Sequence, residues 1–200
     1  KFINLMDSDS INNLVKAEKP DAIFHLAAIG DVTVAFDDPK NTFQISSNAT
    51  LNLLEAIRNE SPNTLFVSHT TDKVYSGNPV PFHEGMNLNP EHIYEVAKIS
   101  QEFLTKIYAK SYNIKTVTLR CGNYFGGFDF NFNRIIPYVI KCALHDKPII
   151  LRSNGKFTRD FLYIKDAVLV NELILSKFFS DNISNLSGEA FNFSLEIQMQ

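Results

Sequence analysis

Tryptophan is missing from this 200-residue sequence, and cysteine, glycine and proline are sparse, at two, eight and eight residues. Two thiols, Cys121 and Cys142, are too few for a disulfide scaffold and lack the C-x-x-C spacing of a metal site, so buried free thiols are expected. The five histidines include no H-E-x-x-H or comparable pair, and no metal centre is expected. Positive charge is not in excess. Nineteen Lys plus Arg stand against 22 Asp plus Glu, a net charge of -3, which argues against binding to nucleic acid or to a membrane surface through basic patches. Long apolar runs are also missing: four residues, as in Leu26 to Ile29, is the maximum, against the about 18 to 20 that span a bilayer. The opening Lys1-Phe-Ile-Asn-Leu-Met-Asp breaks before it can form the apolar segment of a signal peptide. A cytoplasmic protein without nucleic-acid or membrane partners is the expectation. There is no internal repeat, low-complexity tract or linker.

What is present is enough apolar character for a sizeable core, 44% hydrophobic residues with 20% charged. Apolar β-rich runs alternate with segments of helical period, the pattern of a parallel sheet covered by helices. The spacing predicts a helix opening at Ser8 or Asp9 that buries Ile11, Leu14 and Val15 and stops before Pro20. It predicts strands at Ala22–Ala28, Thr64–Ser68, Thr116–Leu119 and Pro148–Leu151, with helices at Thr42–Asn59, Ile93–Ala109 and Arg134–His145 and one beginning near Lys165. A loop rich in Gly, Pro and Asn occupies Gly77 to Asn89. A doubly wound nucleotide-binding sheet normally opens with a strand, a glycine-rich turn and a helix whose N-terminus holds a pyrophosphate. Here the first glycine is Gly30, so the sequence reads as starting inside such a domain.

Chemistry centres on Tyr94 and Lys98, whose i, i+4 spacing puts both side chains on one helix face. An ammonium beside a phenol favours the phenolate and creates a general base for an alcohol proton, although such a pair also arises readily by chance. Context strengthens it. The strand Leu65-Phe66-Val67-Ser68 runs into His69-Thr70-Thr71-Asp72-Lys73, which puts hydroxyls and a carboxylate at the edge where open α/β sheets hold ligands, and His25 with Ala27-Ala28 ends the preceding strand at the same edge. Four of the five arginines, Arg120, Arg134, Arg152 and Arg159, lie in the C-terminal part as candidates for a diphosphate clamp, each with a surface ion pair as the blander alternative.

The segments His25-Leu26-Ala27-Ala28, Leu53-Leu54-Glu55-Ala56, Thr71-Asp72-Lys73-Val74-Tyr75, Tyr94-xxx-Lys98, Arg120 to Gly126, Asn133 to Pro137 and Arg159-Asp160-Phe161 occur in the order found in extended short-chain dehydrogenase/reductases acting on nucleotide sugars. The sequence resembles the nucleotide-sugar 4,6-dehydratases of this NAD-dependent epimerase/dehydratase family, most of all the CDP-glucose branch, on the strength of Asp72-Lys73 and the Arg120–Pro137 segment. The resemblance implies a Rossmann-like doubly wound parallel sheet lacking its first strand, turn and helix, about 50 residues. It also implies part of a C-terminal substrate lobe, so that both ends read as cut. It divides the chain into a truncated NAD-binding domain, 1–127 with 161–193, and part of a nucleotide-sugar-binding lobe, 128–160 with 194–200.

Carried over position by position, the resemblance makes Tyr94 the base and Lys98 the residue that lowers its pKa and holds the nicotinamide ribose. Thr71 bonds the reacting hydroxyl, and Asp72 is the acid for the C6 leaving group. Lys73 stands where other branches carry a glutamate that takes the C5 proton; a lysine serves there only as a free amine, which leaves the C5 base unassigned. His25, Leu26, Ala27 and Ala28 line the NAD groove, Asn4 lies against the adenine, and Asn123, Arg134 and Arg159 contact the sugar diphosphate. Ser46, Ala49 and Ala97 replace the family's asparagine, glycine and serine. The implied activity is a lyase reaction on a nucleotide-diphosphate hexose in a homodimeric full-length protein. The alternatives are a nucleotide-sugar 4-epimerase and an inactive remnant without a working NAD site.

Overall fold

In the computed structural model, which describes residues 2–30, 32–151, 153–157, 159–180, 183 and 185–194, the chain divides into two units. One runs over Lys1–Cys121 and Ile174–Phe193, the other over Gly122–Leu173.

The first unit opens with helix α1 (Ser8–Glu18), capped by the Asp7 carboxylate, which accepts from the Ser10 amide at 3.1 Å and the Ser10 hydroxyl at 2.6 Å. Lys19 leaves it in the left-handed conformation ahead of Pro20. Ile11 and Val15 are buried as the spacing predicts, while Leu14 is only partly covered. Strand β1 (Ala22–His25) follows, then α2 (Val32–Asp37), α3 (Pro39–Glu60), β2 (Leu65–Thr71), a short 3-10 turn (Asp72–Tyr75), α4 (Ile93–Tyr112), β3 (Thr116–Cys121) and, late in the chain, β6 (Ala190–Phe193). These four strands form one sheet in the order β1-β2-β3-β6, parallel throughout. The Rossmann-like α/β architecture is present. Its core joins Ile11 and Val15 of α1, Leu53, Leu54 and Ile57 of α3, Phe66 of β2 and Tyr108 of α4.

Several boundaries differ from the sequence pattern. The apolar run Ala22–Ala28 predicts a longer strand than β1, whose pairing with β2 ends at His25 opposite Ser68. Leu26 to Ala28 leave the sheet as coil. Strand β2 instead runs three residues past Ser68, because His69, Thr70 and Thr71 go on pairing with Leu119, Arg120 and Cys121 of β3. The segment between the predicted Ala22–Ala28 strand and Thr42–Asn59 helix, for which the pattern predicts no element, holds α2, a helix too short to show a period. Pro39 at the first turn and the Asp38 cap start α3 earlier than Thr42.

The second unit contains β4 (Asn123–Phe125), α5 (Ile135–Leu144), β5 (Phe161–Tyr163) and the first ten residues of α6 (Ile164–Phe179). β4 and β5 form a two-stranded parallel sheet. A Cβ added at Gly126 would come within 2.3 Å of the Ile164 side chain, so the turn after β4 requires glycine at this close approach. The strand predicted at Pro148–Leu151 is coil, with Ile149, Ile150 and Leu151 exposed, since among the described residues no strand lies alongside to pair with it.

One buried polar network fixes α4 to the sheet. The Arg120 guanidinium of β3 makes a two-point pair with the Glu102 carboxylate of α4 and also donates to the Tyr75 hydroxyl, which donates to Asn192 of β6 at 3.0 Å. Removing one partner strands a buried charge. Arg120→Met is therefore expected to lower unfolding stability by about 3–5 kcal/mol. The double change Arg120→Met with Glu102→Leu should recover most of that loss, because an apolar pair leaves no orphan. Urea unfolding of the three proteins measures this; equal losses in the single and double variants would contradict it.

Candidate active site

Parallel pairing sends the C-terminal ends of β1, β2 and β3 to one edge, so His25, Thr71 and Cys121 arrive there from three different chain segments. α4 adds Tyr94 in its first turn and Lys98 one turn later. The start of α4 is held firmly: the Glu95 carboxylate accepts from the Glu91 and His92 amides at 2.5 and 3.1 Å and from the Ser76 hydroxyl at 2.7 Å. The clamp ties the helix to the turn that follows Thr71-Asp72-Lys73.

Tyr94 is 8% exposed and hydrogen-bonded with Thr71. The Thr71 hydroxyl donates to Asp72 at 3.2 Å and accepts the Lys73 amide at 3.3 Å, and the Lys73 ammonium lies 6.0 Å from the Tyr94 ring centre. Thr71, Asp72, Lys73 and Tyr94 are thus gathered as the motif order implies. The expected direction of the Tyr94 pKa is not what the site produces. Burial pushes the phenol up to about 12, the Asp72, Cys121 and Glu95 charges add to the rise, and the Thr71 hydrogen bond only partly opposes it. Lys98 does not offset this. Its ammonium donates to the His69 carbonyl at 3.0 Å and to the Gln101 side-chain oxygen at 3.1 Å, and burial at 3% exposure brings it down to about 8.

His25 is buried against Phe66 and Thr50. The Thr50 hydroxyl donates to the Ser46 carbonyl at 2.6 Å, so at 3.1 Å it accepts from His25 Nε2, which fixes the tautomer with Nε2 protonated. Burial, followed by the Lys98 and His69 charges, lowers His25 to about 4. Leu26 and Ala27 are exposed and Ala28 half-buried, and the two alanines are small enough for a ligand to approach closely. Asn4 lies in the turn before α1, where its side chain accepts the Met6 amide at 3.0 Å.

The arginines divide. Arg120 is not available to a diphosphate, because it is buried and committed to Glu102 and Tyr75. Arg134 caps α5 in the second unit and pairs with Asp129 at 3.2 Å. The exposed Arg159 guanidinium sits 5.3 Å from the Phe157 ring centre. Arg152 lies outside the described residues. Asn123 opens β4, its amide donating to the Asp160 carbonyl at 2.8 Å. Sequence reasoning gave no role to Gln101, Ser68, Thr50 or Glu95. The i+3 spacing of Gln101 from Lys98 was the one available signal; the others meet the site only through the fold.

His25 carries a pH consequence. Its folded pKa of about 4 lies below its unfolded value near 6.5, so between these values the unfolded chain binds the extra proton and stability falls as pH falls. Going from pH 7 to 5 is expected to cost roughly 2 kcal/mol through this group. Replacing His25 with Asn should flatten that slope, as read by urea midpoints at each pH; an unchanged slope would overturn it.

Comparisons with known proteins bear on the fold and the family. The chain is 30% identical over 206 residues to the dTDP-D-glucose 4,6-dehydratase of Dictyostelium discoideum, a match covering 96% of this chain and 46% of that protein. Among solved structures, a UDP-glucuronic acid 4-epimerase variant from Bacillus cereus, in complex with NAD and a fluorinated UDP-sugar, is 27% identical with a TM-score of 0.85, over 98% of this chain and 60% of that one. A double mutant of the dTDP-glucose 4,6-dehydratase of Streptomyces venezuelae, solved with NAD bound, shares the fold at a TM-score of 0.84 and 19% identity, over 98% of this chain and 58% of that one. The chain spans about half the length of the relatives it matches. The model of the NAD dependent epimerase/dehydratase family matches residues 1–192, and the chain belongs to that family.

Proposed function

We propose that the protein of which this chain forms the catalytic edge is an NAD-dependent nucleotide-sugar 4,6-dehydratase. The observation that carries the reading is the grouping of Thr71, Asp72, Lys73 and Tyr94, with Lys98 one helical turn away. A hydroxyl-bonded phenol beside a carboxyl suits a substrate that must lose one proton and expel one hydroxyl. The relatives named above act on dTDP-glucose or UDP-sugars; the CDP-glucose preference rests on Asp72-Lys73 and the Arg120–Pro137 segment.

The chain's residues fit a nicotinamide dinucleotide. Leu26, Ala27 and Ala28 follow β1 as coil, the two alanines giving room for close approach, and Lys98 has one ammonium N–H left after His69 and Gln101. Lys98 is assigned to the ribose, His25 to Ala28 to the groove wall and Asn4 to the adenine end. When bound, NAD supplies the hydride acceptor for oxidation at C4 and the donor for reduction at C6. Tyr94 takes the C4 hydroxyl proton; its phenol must come down from about 12, and Thr71 and the Lys98 charge are the groups that can lower it. The C4 ketone then acidifies C5. Asp72 gives its proton to the C6 hydroxyl, which leaves as water, while the C5 proton passes to a base other than Lys73, whose ammonium accommodates the negative charge that develops as C5 is deprotonated. Asn123, Arg134 and Arg159, together with the lobe over 128–160, are assigned to the sugar diphosphate.

We also propose that the full-length protein is a homodimer. Phe43 and Leu51 on α3 and Val96, Phe103 and Ile107 on α4 are exposed in two neighbouring rows, and the Ser47–Ser100 hydrogen bond of 2.5 Å joins the helices between them. A face of this kind is self-complementary, and a second copy of the chain would cover it.

Incubation with dTDP-, UDP- and CDP-glucose and NAD, followed by mass spectrometry, tests the activity. Loss of one water from the sugar is the expected outcome; a C4-epimerised product of unchanged mass favours the 4-epimerase reading, and no turnover favours the remnant. Tyr94→Phe is expected to lower kcat by at least about 100-fold with nucleotide-sugar affinity nearly unchanged. A variant keeping more than about a tenth of the rate, a difference of ~1.4 kcal/mol, would remove Tyr94 as the principal base.

A further inference from the structure

Gln101 has no exposed surface, and burying a carboxamide is unfavourable unless its polar atoms are bonded. Both ends are engaged. Its oxygen accepts from Lys98 Nζ at 3.1 Å, while its nitrogen donates to the Ser68 hydroxyl at 2.8 Å and reaches the His69 carbonyl at 3.4 Å. Turned over, the carboxamide would set its NH2 against the ammonium and its oxygen against the His69 carbonyl. Those two repulsions fix its orientation. Lys98 has three N–H groups, of which the His69 carbonyl and Gln101 take two.

We infer that Gln101 is a positioning residue: anchored on Ser68, it holds the Lys98 ammonium charged and aimed so that one N–H remains for the cofactor ribose, a role that rests on the NAD-site reading above. Gln101 does not touch substrate or cofactor; it acts through Lys98. An ammonium this deeply buried is stabilised only by the groups that accept its protons, and Gln101 is the side chain among them. The other titratable groups around Lys98 are His25 on β1, His69 on β2, Cys121 on β3, Asp72 and Lys73 on the 3-10 turn, and Tyr94 on its own helix. Glu102 is paired with Arg120, α3 brings the uncharged Ser46, Ser47 and Thr50, and Asp37 of α2 is exposed.

The test is an NMR titration of the apo protein labelled with 13Cε-lysine, with the Lys98 signal assigned by its loss in Lys98→Arg. The wild-type midpoint is expected near 8. Gln101→Met, close in shape but without the acceptor, should move it down by about one unit, and Gln101→Glu should move it up by a similar amount. Ser68→Ala, which unpins the amide without touching Lys98, should move it down by less and serves if Gln101→Met does not fold. Opposite shifts in the Met and Glu variants support the role, since a purely structural glutamine would change stability without moving the midpoint in two directions. Midpoints within about 0.2 units of wild type in both would overturn it. Calorimetric titration with NAD runs alongside: affinity weakened several-fold in Gln101→Met supports the ribose-facing role, and unchanged affinity overturns it. Absence of NAD binding by wild type, with the NMR shifts as expected, would overturn the NAD-site reading while the hold on Lys98 stands.

Discussion

Strand β2 is buried along all of its seven residues, and four of them, Ser68 to Thr71, are polar. A strand covered on both faces has no water to satisfy its hydroxyls, imidazole and carbonyls, so every polar group must find a protein partner. Ser68 takes Gln101, the His69 carbonyl takes Lys98, the His69 ring lies 3.8 Å from the Cys121 sulfur, Thr70 reaches the Leu119 carbonyl and Thr71 meets Asp72 and Tyr94. The candidate site is the set of partners that this one strand demands. α4 has to lie where it does, with Tyr94 and Lys98 facing inward, for the C-terminal half of β2 to be buried.

The same desolvation acts with opposite sign on acids and bases. It raises the Tyr94 phenol to about 12 and lowers Lys98 to about 8 and His25 to about 4. Before any ligand arrives the phenol and the imidazole are neutral, and the ammonium keeps its proton with the help of two carbonyl oxygens, those of His69 and Gln101. In the proposed reaction, proton transfer at Tyr94 therefore depends on Lys98 and Thr71, the groups able to lower the phenol. The strongest fixed charge pair nearby, Arg120 with Glu102, is spent on tying α4 to β3 and takes no part in that transfer.

How much was legible beforehand follows from the range of each signal. Local period and end signals located α1 and α4 to within a few residues, because Ser8, Asp9 and Pro20 act within one turn of their own backbone and the α4 pattern repeats along one helix. Strand ends were poorly read. The apolar run past His25 predicts continued pairing, and polar Thr70-Thr71 predicts its end; the neighbours reversed both, since β1 loses its partner at Ser68 whereas β2 keeps β3 as far as Cys121. Ile149-Ile150-Leu151 failed for the same reason: an apolar run becomes a strand only beside another.

Sequence by itself determined the family, the alternation of strands and helices and the pairing of Tyr94 with Lys98, all of which depend on residue order or on spacing within one helix. Tertiary structure alone decided which arginine is spent and what each titratable group experiences. Arg120 and Arg134 look alike in sequence, yet one is sealed against Glu102 while the other pairs with Asp129 at the surface. The expected lowering of the Tyr94 phenol by Lys98 is reversed because burial of the phenol dominates, and two of the three Lys98 N–H groups go to His69 and Gln101 instead. Burial and hydrogen-bond partners are set by residues distant in the chain, and their effect on a proton depends on distances that residue order does not encode locally.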